Sequence, residues 1–176
     1  SLKGIASIKD EVEQQIRLLS ADIVDSAIND NESGDFKSSS EKLYLAYLID
    51  PETNQDYLYF AASSAVNAEL FQVSLDYYYK LRNINYTGVV TKYFATEVDS
   101  GNEIELNKSQ YDLYEKSKNY SNFRQEITES KFPEIVKNIA LIHAQMGDND
   151  KAMAAVQEAR LSNPDDLNLI LTEANI

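Results

Sequence analysis

The stretch KNIALIHAQMGDNDKAMAAVQEARLSNPDD, residues 137–166, contains the features that decide the fold. On both sides of Gly147-Asp148, small and apolar residues recur at steps of three and four, which predicts two helices joined by a tight turn. Gly147 suits the left-handed residue just past a helix end, and Asp148 suits the cap of the next helix. Pro164 predicts the end of the second helix because proline supplies no backbone N–H donor. The residues predicted to pack are Val136, Ile139, Ala140, His143, Ala152, Val156 and Ala159.

The same order of residues occurs earlier in the chain, where Gly34-Asp35 lies 113 positions before Gly147-Asp148. A small residue, a Gly-Asp turn, a second small residue and a proline follow one another in both places. This agreement in order indicates an internal repeat, which must be recognised before any motif is interpreted. The identical pairs are Ala27 and Ala140, Gly34 and Gly147, Asp35 and Asp148, Ala46 and Ala159, Leu48 and Leu161, and Pro51 and Pro164.

This pattern resembles the tetratricopeptide repeat (TPR) family, whose unit is a helix-turn-helix of about 34 residues. Counted in that way, the repeats are 20–53, 54–87 and 133–166, and residues 167–176 begin a fourth, truncated repeat. The second repeat departs from the pattern, since Ala68-Glu69 stands at the place of Gly-Asp and the closing proline is missing. The resemblance implies a single, mostly all-α domain over 1–176, a TPR-like right-handed solenoid of helix hairpins with a small β-hairpin insert.

Residues 1–19 are expected to form an N-terminal capping helix. Their apolar residues are spaced as on one helix stripe, and the stripe runs on without a break into the first repeat. Terminal units of repeat proteins commonly cover the exposed end of the stack, so this helix is expected to do the same. The stripe consists of Ile5, Ile8, Val12, Ile16, Leu19 and Ile23.

The insert, residues 88–132, does not follow the repeat pattern. β-Branched and aromatic residues around the turn DSGN predict a hairpin with strands near 89–98 and 103–106. A short helix with Tyr111 and Tyr114 on one face is predicted to start at the Ser109 cap, and polar residues 117–131 are predicted to be loop. Inserts between repeats often lie on the binding face, but this one could equally stabilise the weak second repeat.

Composition narrows the function classes. The net charge of −13 and the pI near 4.4 argue against nucleic-acid binding, which requires basic surfaces. No cysteine is present, so disulfides, thiol nucleophiles and thiolate metal sites are excluded. No apolar run approaches the ~20 residues of a membrane span, and no motif predicts a cofactor.

No constellation of residues predicts catalysis. His143 is the only histidine, it falls on the packing stripe, and no second His or Cys can join it in a metal site. The carboxylates at 30–32 and 148–150 lie beside helix turns, where they cap helices, and lack calcium-loop spacing. In the run of three tyrosines at 77–79, Tyr77 is expected to pack, whereas Tyr78 and Tyr79 are expected to be more exposed.

The TPR resemblance implies a concave groove lined by the first helix of each repeat. TPRs that bind a C-terminal carboxylate use Lys and Asn, but Val24 and Ile28 stand at those places in the first repeat, which argues against a carboxylate clamp. The groove is therefore expected to be apolar and to suit an amphipathic helix or hydrophobic peptide, unless the chain fills it with its own N-terminal helix or insert. Transferred by repeat position, the groove residues are Val24, Ile28, Asn31, Leu58, Ala62, Ala65, Lys137, Leu141, Ala144 and Gln145.

The leading hypothesis is a non-catalytic scaffold that binds a protein or peptide partner in this groove. Two alternatives stay open: glycan binding, which the 12 tyrosines suggest, and homo-oligomerisation through the ends of the solenoid. The resemblance extends to bacterial TPR proteins with a similar hairpin insert, which implies a location in the cell envelope.

Overall fold

A computed structural model describes residues 2–162, 164–165 and 167–175. Positions 163, 166 and 176, which belong to the predicted third and fourth repeats, and position 1 lie outside the described residues, as does the side chain of Ile5 on the predicted stripe. In chain order the elements are α1 (Leu2–Ser33), α2 (Phe36–Ile49), α3 (Gln55–Asn67), α4 (Phe71–Asn83), β1 (Thr91–Glu97), β2 (Glu103–Leu106), α5 (Lys108–Tyr114), β3 (Tyr120–Ile127), α6 (Phe132–Gln145), α7 (Asn149–Ser162) and α8 (Leu167–Asn175).

The chain divides into two compact units, a helical unit of residues 1–86 and 132–176 and an insert unit, Thr87–Lys131. In the helical unit each helix packs against the next, from α1 through α4 and from α4 to α6, α7 and α8. Pairs of helices joined by tight turns and stacked in chain order form a TPR-like helical solenoid. The expected fold class is therefore confirmed, with a small sheet as the insert.

Three tight turns share one backbone conformation. Gly34, Glu69 and Gly147 have φ of 85°, 58° and 76°, the left-handed conformation that ends a helix. The next residue then donates its N–H to the carbonyl five positions earlier, from Asp35 to Asp30 at 2.8 Å and from Leu70 to Ala65 at 2.9 Å. The turn of the second pair is therefore Glu69-Leu70, 35 residues after Gly34-Asp35, and the expected register of 34 at this turn is wrong.

The corrected register explains which tyrosine is buried in the second helix pair. Tyr78 lies nine residues after the left-handed Glu69, just as Leu43 lies nine residues after Gly34. Tyr78 is therefore the equivalent of Leu43, and it is 1% exposed. Tyr77 packs at the edge of both apolar cores, as expected, but it is only partly buried. The expectation that Tyr78 is more exposed than Tyr77 is therefore wrong. Ala27, Ala62 and Ala140, each seven residues before the left-handed residue, are all fully buried.

The helical unit has one large and one small apolar core. The large core joins α3, α4, α6 and α7 through side chains such as Leu58, Tyr78 and Ile139. The small core lies between α1, α2 and α3 and consists of Ala27, Leu43 and Ala61, with tyrosines packed at its edge. The core between the first helix pair and α3 therefore contains fewer buried apolar side chains than the core around α4 and α6.

The N-terminal part of α1 does not cap the stack. Helix α1 is continuous into the first repeat, as expected, but every residue from 8 to 19 is exposed. Ile8 is 63% exposed and Leu19 56%, so this part of the apolar stripe is open to solvent. The expectation that this helix covers the end of the array is therefore wrong.

The insert unit is a three-stranded antiparallel sheet with the order β2-β1-β3. Strands β1 and β2 form the expected hairpin, with Tyr93 opposite Leu106. Strand β3 falls in residues 117–131, so the expectation of a loop there is wrong. The cap of α5 is also not Ser109 but Asn107, which forms a reciprocal capping box with Gln110.

Candidate functional site

A cleft of about 500 Å³ lies between the C-terminal half of α1 and α3. Ser39 and Leu43 of α2 are buried and form its floor. We call this recess the α1–α3 cleft. Its lining residues are Val24, Ala27, Ile28, Asn31, Glu32, Ser39, Leu43, Tyr57, Phe60, Ser63 and Ser64.

The walls of the cleft are apolar and open to solvent. Ile28 on α1 is 48% exposed, and Phe60 on α3 is 45% exposed. Val24 and Tyr57 are partly buried beside them. Soluble proteins rarely expose several large apolar side chains next to one another. Where they do, the exposed group commonly marks an interaction surface. The walls can therefore accept apolar side chains from outside the chain.

Polar side chains lie beside Leu43 at the floor of the cleft. Ser39 and Ser64 are buried, and their hydroxyl oxygens lie 3.5 Å apart. Asn31 donates its amide N–H to the Ser64 hydroxyl at 3.1 Å. Ser40, in contrast, donates to the carbonyl of Ala61 at 2.8 Å and so links α2 to α3. The Asn31-Ser64-Ser39 group lines the cleft and leaves hydrogen-bonding capacity for a ligand group.

Glu32 is the one charged residue that lines the α1–α3 cleft. In the part of the chain that the structure describes, it forms no ion pair. Asp30, two residues earlier, instead pairs with Lys42 of α2 and belongs to the helix–helix contact. The cleft therefore combines apolar walls, a floor in which hydroxyl and amide groups lie beside Leu43, and a carboxylate at one end.

The structure gathers only part of the expected groove residues into this cleft. Val24, Ile28 and Asn31 line it. Leu58, Ala62 and Ala65 are fully buried, so the expectation that they line an open groove is wrong.

The α3 flank that faces the cleft was not predicted. It carries Tyr57, Phe60 and Ser64 at steps of three and four, whereas the predicted residues lie on the adjacent stripe that packs inside. Two neighbouring helices enclose a cleft with opposite flanks, so transferring the same repeat positions to each helix selects the wrong flank of α3. The apolar spacing of Tyr57 and Phe60 was the available signal.

The four expected residues on α6 do not line the α1–α3 cleft. Lys137, Leu141 and Ala144 are partly buried, and Gln145 is exposed. Their part in a binding surface stays a prediction.

His143 of α6 is buried and forms a hydrogen bond with Tyr79 of α4. Its Nε2 lies 2.7 Å from the Tyr79 hydroxyl, and its Nδ1 lies 3.8 Å from Asp148. Burial lowers the pKa of His143, and the nearby Asp148 carboxylate only partly opposes this effect. The geometry is that of a packed histidine joining two helices.

In the described residues, no group of three His, Cys, Asp or Glu side chains is placed to hold a metal ion. None of the helices described is both long and apolar enough to cross a membrane.

Comparison with known proteins gives no family assignment. No protein-family model matches the chain, and no curated protein matches it. Solved structures that resemble it include the crystal structure of PcrH in complex with the chaperone binding region of PopB. That match has 13% identity and a TM-score of 0.49, and it covers 90% of this chain and 94% of the other.

Proposed function

We propose that the chain is a non-catalytic scaffold that binds a helix or peptide segment of another protein in the α1–α3 cleft. The supporting observation is that Ile28 and Phe60, each about half exposed, face one recess of about 500 Å³. Recognition of an amphipathic helix in a groove uses this combination of apolar anchors and a concave surface.

The energetics of this binding mode are moderate. Covering the exposed half of a large apolar side chain contributes on the order of 1 kcal/mol. Val24, Ile28, Tyr57 and Phe60 together can supply several such contributions, of which association costs consume a large part. We therefore expect weak, reversible binding rather than a permanent complex.

An internal segment of the partner fits the cleft better than its C-terminal carboxylate. A carboxylate clamp requires cationic or amide donors, and no lysine or arginine lines the cleft. The charged lining residue is Glu32, which would repel a terminal carboxylate.

The test is a pull-down from a lysate of the source cells with three baits, read by mass spectrometry. The Phe60→Glu variant places a charge in the cleft, and Leu45→Glu places the same charge on α2 at a residue that is 53% exposed and does not line the cleft. Circular dichroism first establishes that the three baits are equally helical. A partner retained by the wild type and Leu45→Glu but lost by Phe60→Glu supports the proposal. Partners captured equally by all three baits contradict it.

A second candidate function is association of two copies through α1, favoured by the exposed stripe of Ile8, Val12, Ile16 and Leu19. Two such stripes could cover each other as in a two-helix coil. Sedimentation velocity over a range of concentrations tests this candidate, with Ile16→Glu as the disrupting variant. A concentration-dependent dimer lost in the variant supports it, and a monomer at every concentration rules it out.

A further inference from the structure

We propose that the helix bound in the α1–α3 cleft carries basic side chains at the end of the cleft formed by Asn31, Glu32 and Ser64. This inference rests on the proposed function and specifies the chemistry of its partner. It commits to a basic amphipathic helix as the occupant.

The first observation that favours a basic partner is the charge of the cleft lining. Glu32 lines the cleft and is not paired with any basic side chain within the described ranges, whereas Lys42, a nearby base on α2, pairs with Asp30. An apolar helix without basic residues would cover Glu32 and remove water from its carboxylate. Such desolvation is unfavourable unless the partner supplies a positive charge.

The second observation is the excess of negative charge around the cleft. Residues 20–33 of α1, which form one wall, contain Asp22, Asp25, Asp30 and Glu32 and no lysine or arginine. Asp30 is compensated by Lys42, so the wall keeps an excess of negative charge. The whole chain carries −13, and a field of one sign steers oppositely charged partners to the surface and repels acidic ones.

The third observation is that apolar walls lie beside a carboxylate in the cleft, a combination that suits lysine and arginine side chains. Lysine and arginine combine an aliphatic stem with a cationic head, and the stem can lie along apolar walls while the head remains solvated. Ile28 and Phe60 provide such walls. The head would then reach the Glu32 carboxylate and the Asn31 side-chain oxygen. An acidic side chain has no comparable place in this cleft.

The experiment is a display selection on the intact chain. The library consists of peptides of about 15 residues, roughly four helical turns, with leucines at helix spacing and with flanking positions randomised among Lys, Arg, Glu, Gln and Ser. Selection is performed at about 0.1 M salt, where charge effects are not fully screened. Each recovered peptide is then measured by fluorescence anisotropy against the wild type, Phe60→Glu and Leu45→Glu, and the last two variants carry the same added charge.

The inference predicts that peptides lost by Phe60→Glu and retained by Leu45→Glu contain more Lys and Arg than Glu. Glu32→Gln should weaken them about two- to five-fold, the usual size of a rim ion pair, and about 0.5 M salt should reduce this difference. Glu52→Gln is the matched control, in the turn after α2 and outside the cleft, and it should leave their affinity unchanged.

Two other outcomes separate the inference from the proposed function. Cleft-dependent peptides without an excess of basic residues, or with full affinity for Glu32→Gln, overturn the inference and leave the scaffold function standing. If no recovered peptide depends on Phe60, both the inference and the proposed function fail.

Discussion

Two neighbouring junctions of the solenoid are built on the same backbone plan and differ in what fills them. Between α1 and α3, the floor position nine residues after the left-handed turn residue is Leu43, and an open cleft remains. Between α3 and α6, the same position is Tyr78, which contacts Tyr59 edge to face at 6.5 Å between ring centroids. Its hydroxyl accepts a hydrogen bond from Asn138 at 3.0 Å, so one tyrosine bridges the two helices.

This difference separates a structural junction from a candidate binding junction. A large side chain at the floor position completes the core, because interiors are stable only when their volume is filled. Leu43, with Ser39 and Ser64 beside it, leaves volume that the chain itself does not use. We therefore expect the open junction to contribute less to stability than the filled one.

The comparison predicts its largest effect at Tyr78. Tyr78→Ala removes a buried ring and should lower the free energy of unfolding by about 3–5 kcal/mol. Phe60→Ala removes a half-exposed ring in the cleft and should cost about 1 kcal/mol. Urea denaturation of both variants measures the two losses, and equal losses would break the distinction between the junctions.

Alkaline pH should weaken the filled junction by a somewhat smaller amount. Burial raises the pKa of Tyr78 to about 12, so the folded chain keeps this phenol neutral while the unfolded chain ionises near 10. The stabilisation by the neutral form is complete below pH 10 and is lost as the pH rises towards 12, by about 2–3 kcal/mol at 1.36 kcal/mol per pKa unit.

Urea denaturation at several pH values on either side of pH 10 measures this loss, with Tyr78→Phe as the control. The control should reduce the alkaline loss without abolishing it, because burial also raises the pKa values of Tyr59 and Tyr86. A loss of the same size in Tyr78→Phe would contradict the assignment to this tyrosine.

The turns predict opposite effects in the two helix pairs. A Cβ at Gly147 would meet no atom within 4 Å, so Gly147→Ala should cost only the strain of the left-handed backbone, about 1 kcal/mol. Glu69→Gly should relieve the same strain and stabilise by about 0.5–1 kcal/mol. Thermal melting should show shifts of about 2–4 °C in opposite directions, and shifts of the same sign would contradict the shared turn conformation.

The smallest effect is expected at Glu32. It lines the cleft without an ion pair among the described residues, so Glu32→Gln should change the free energy of unfolding by less than about 0.5 kcal/mol. Urea denaturation of this variant should overlay that of the wild type. A clear loss of stability would assign Glu32 a structural role and weaken its assignment to a partner.

Local sequence signals predicted the helix pairs because their turns and close contacts depend on residue type. Gly34 and Gly147 mark left-handed helix ends, and the alanines seven residues before them mark the tightest packing. Glu69 adopts the same conformation without a glycine, so the sequence contained no mark of the one-residue shift. The error in that register selected Tyr77 instead of Tyr78 as the equivalent of Leu43, whereas the groove residues of α3 were wrong because the opposite flank of that helix faces the cleft.

Other errors arose where a pattern specifies a face but not its partner. The stripe of Ile8, Val12, Ile16 and Leu19 correctly predicted a helix, yet helical spacing cannot tell whether another element covers the apolar face. Strand β3 was missed because its residues are largely exposed and its pairing with β1 joins positions far apart in sequence, such as Thr91 and Ile127.

The most direct test of the account is a titration of the ¹⁵N-labelled chain with a cleft-dependent peptide from the display selection, followed by amide chemical shifts. The account predicts that the shifts change mainly in residues 24–32 of α1 and 57–64 of α3. Changes confined to residues 8–19 or to the strands of the insert would contradict it, because the partner would then bind outside the α1–α3 cleft.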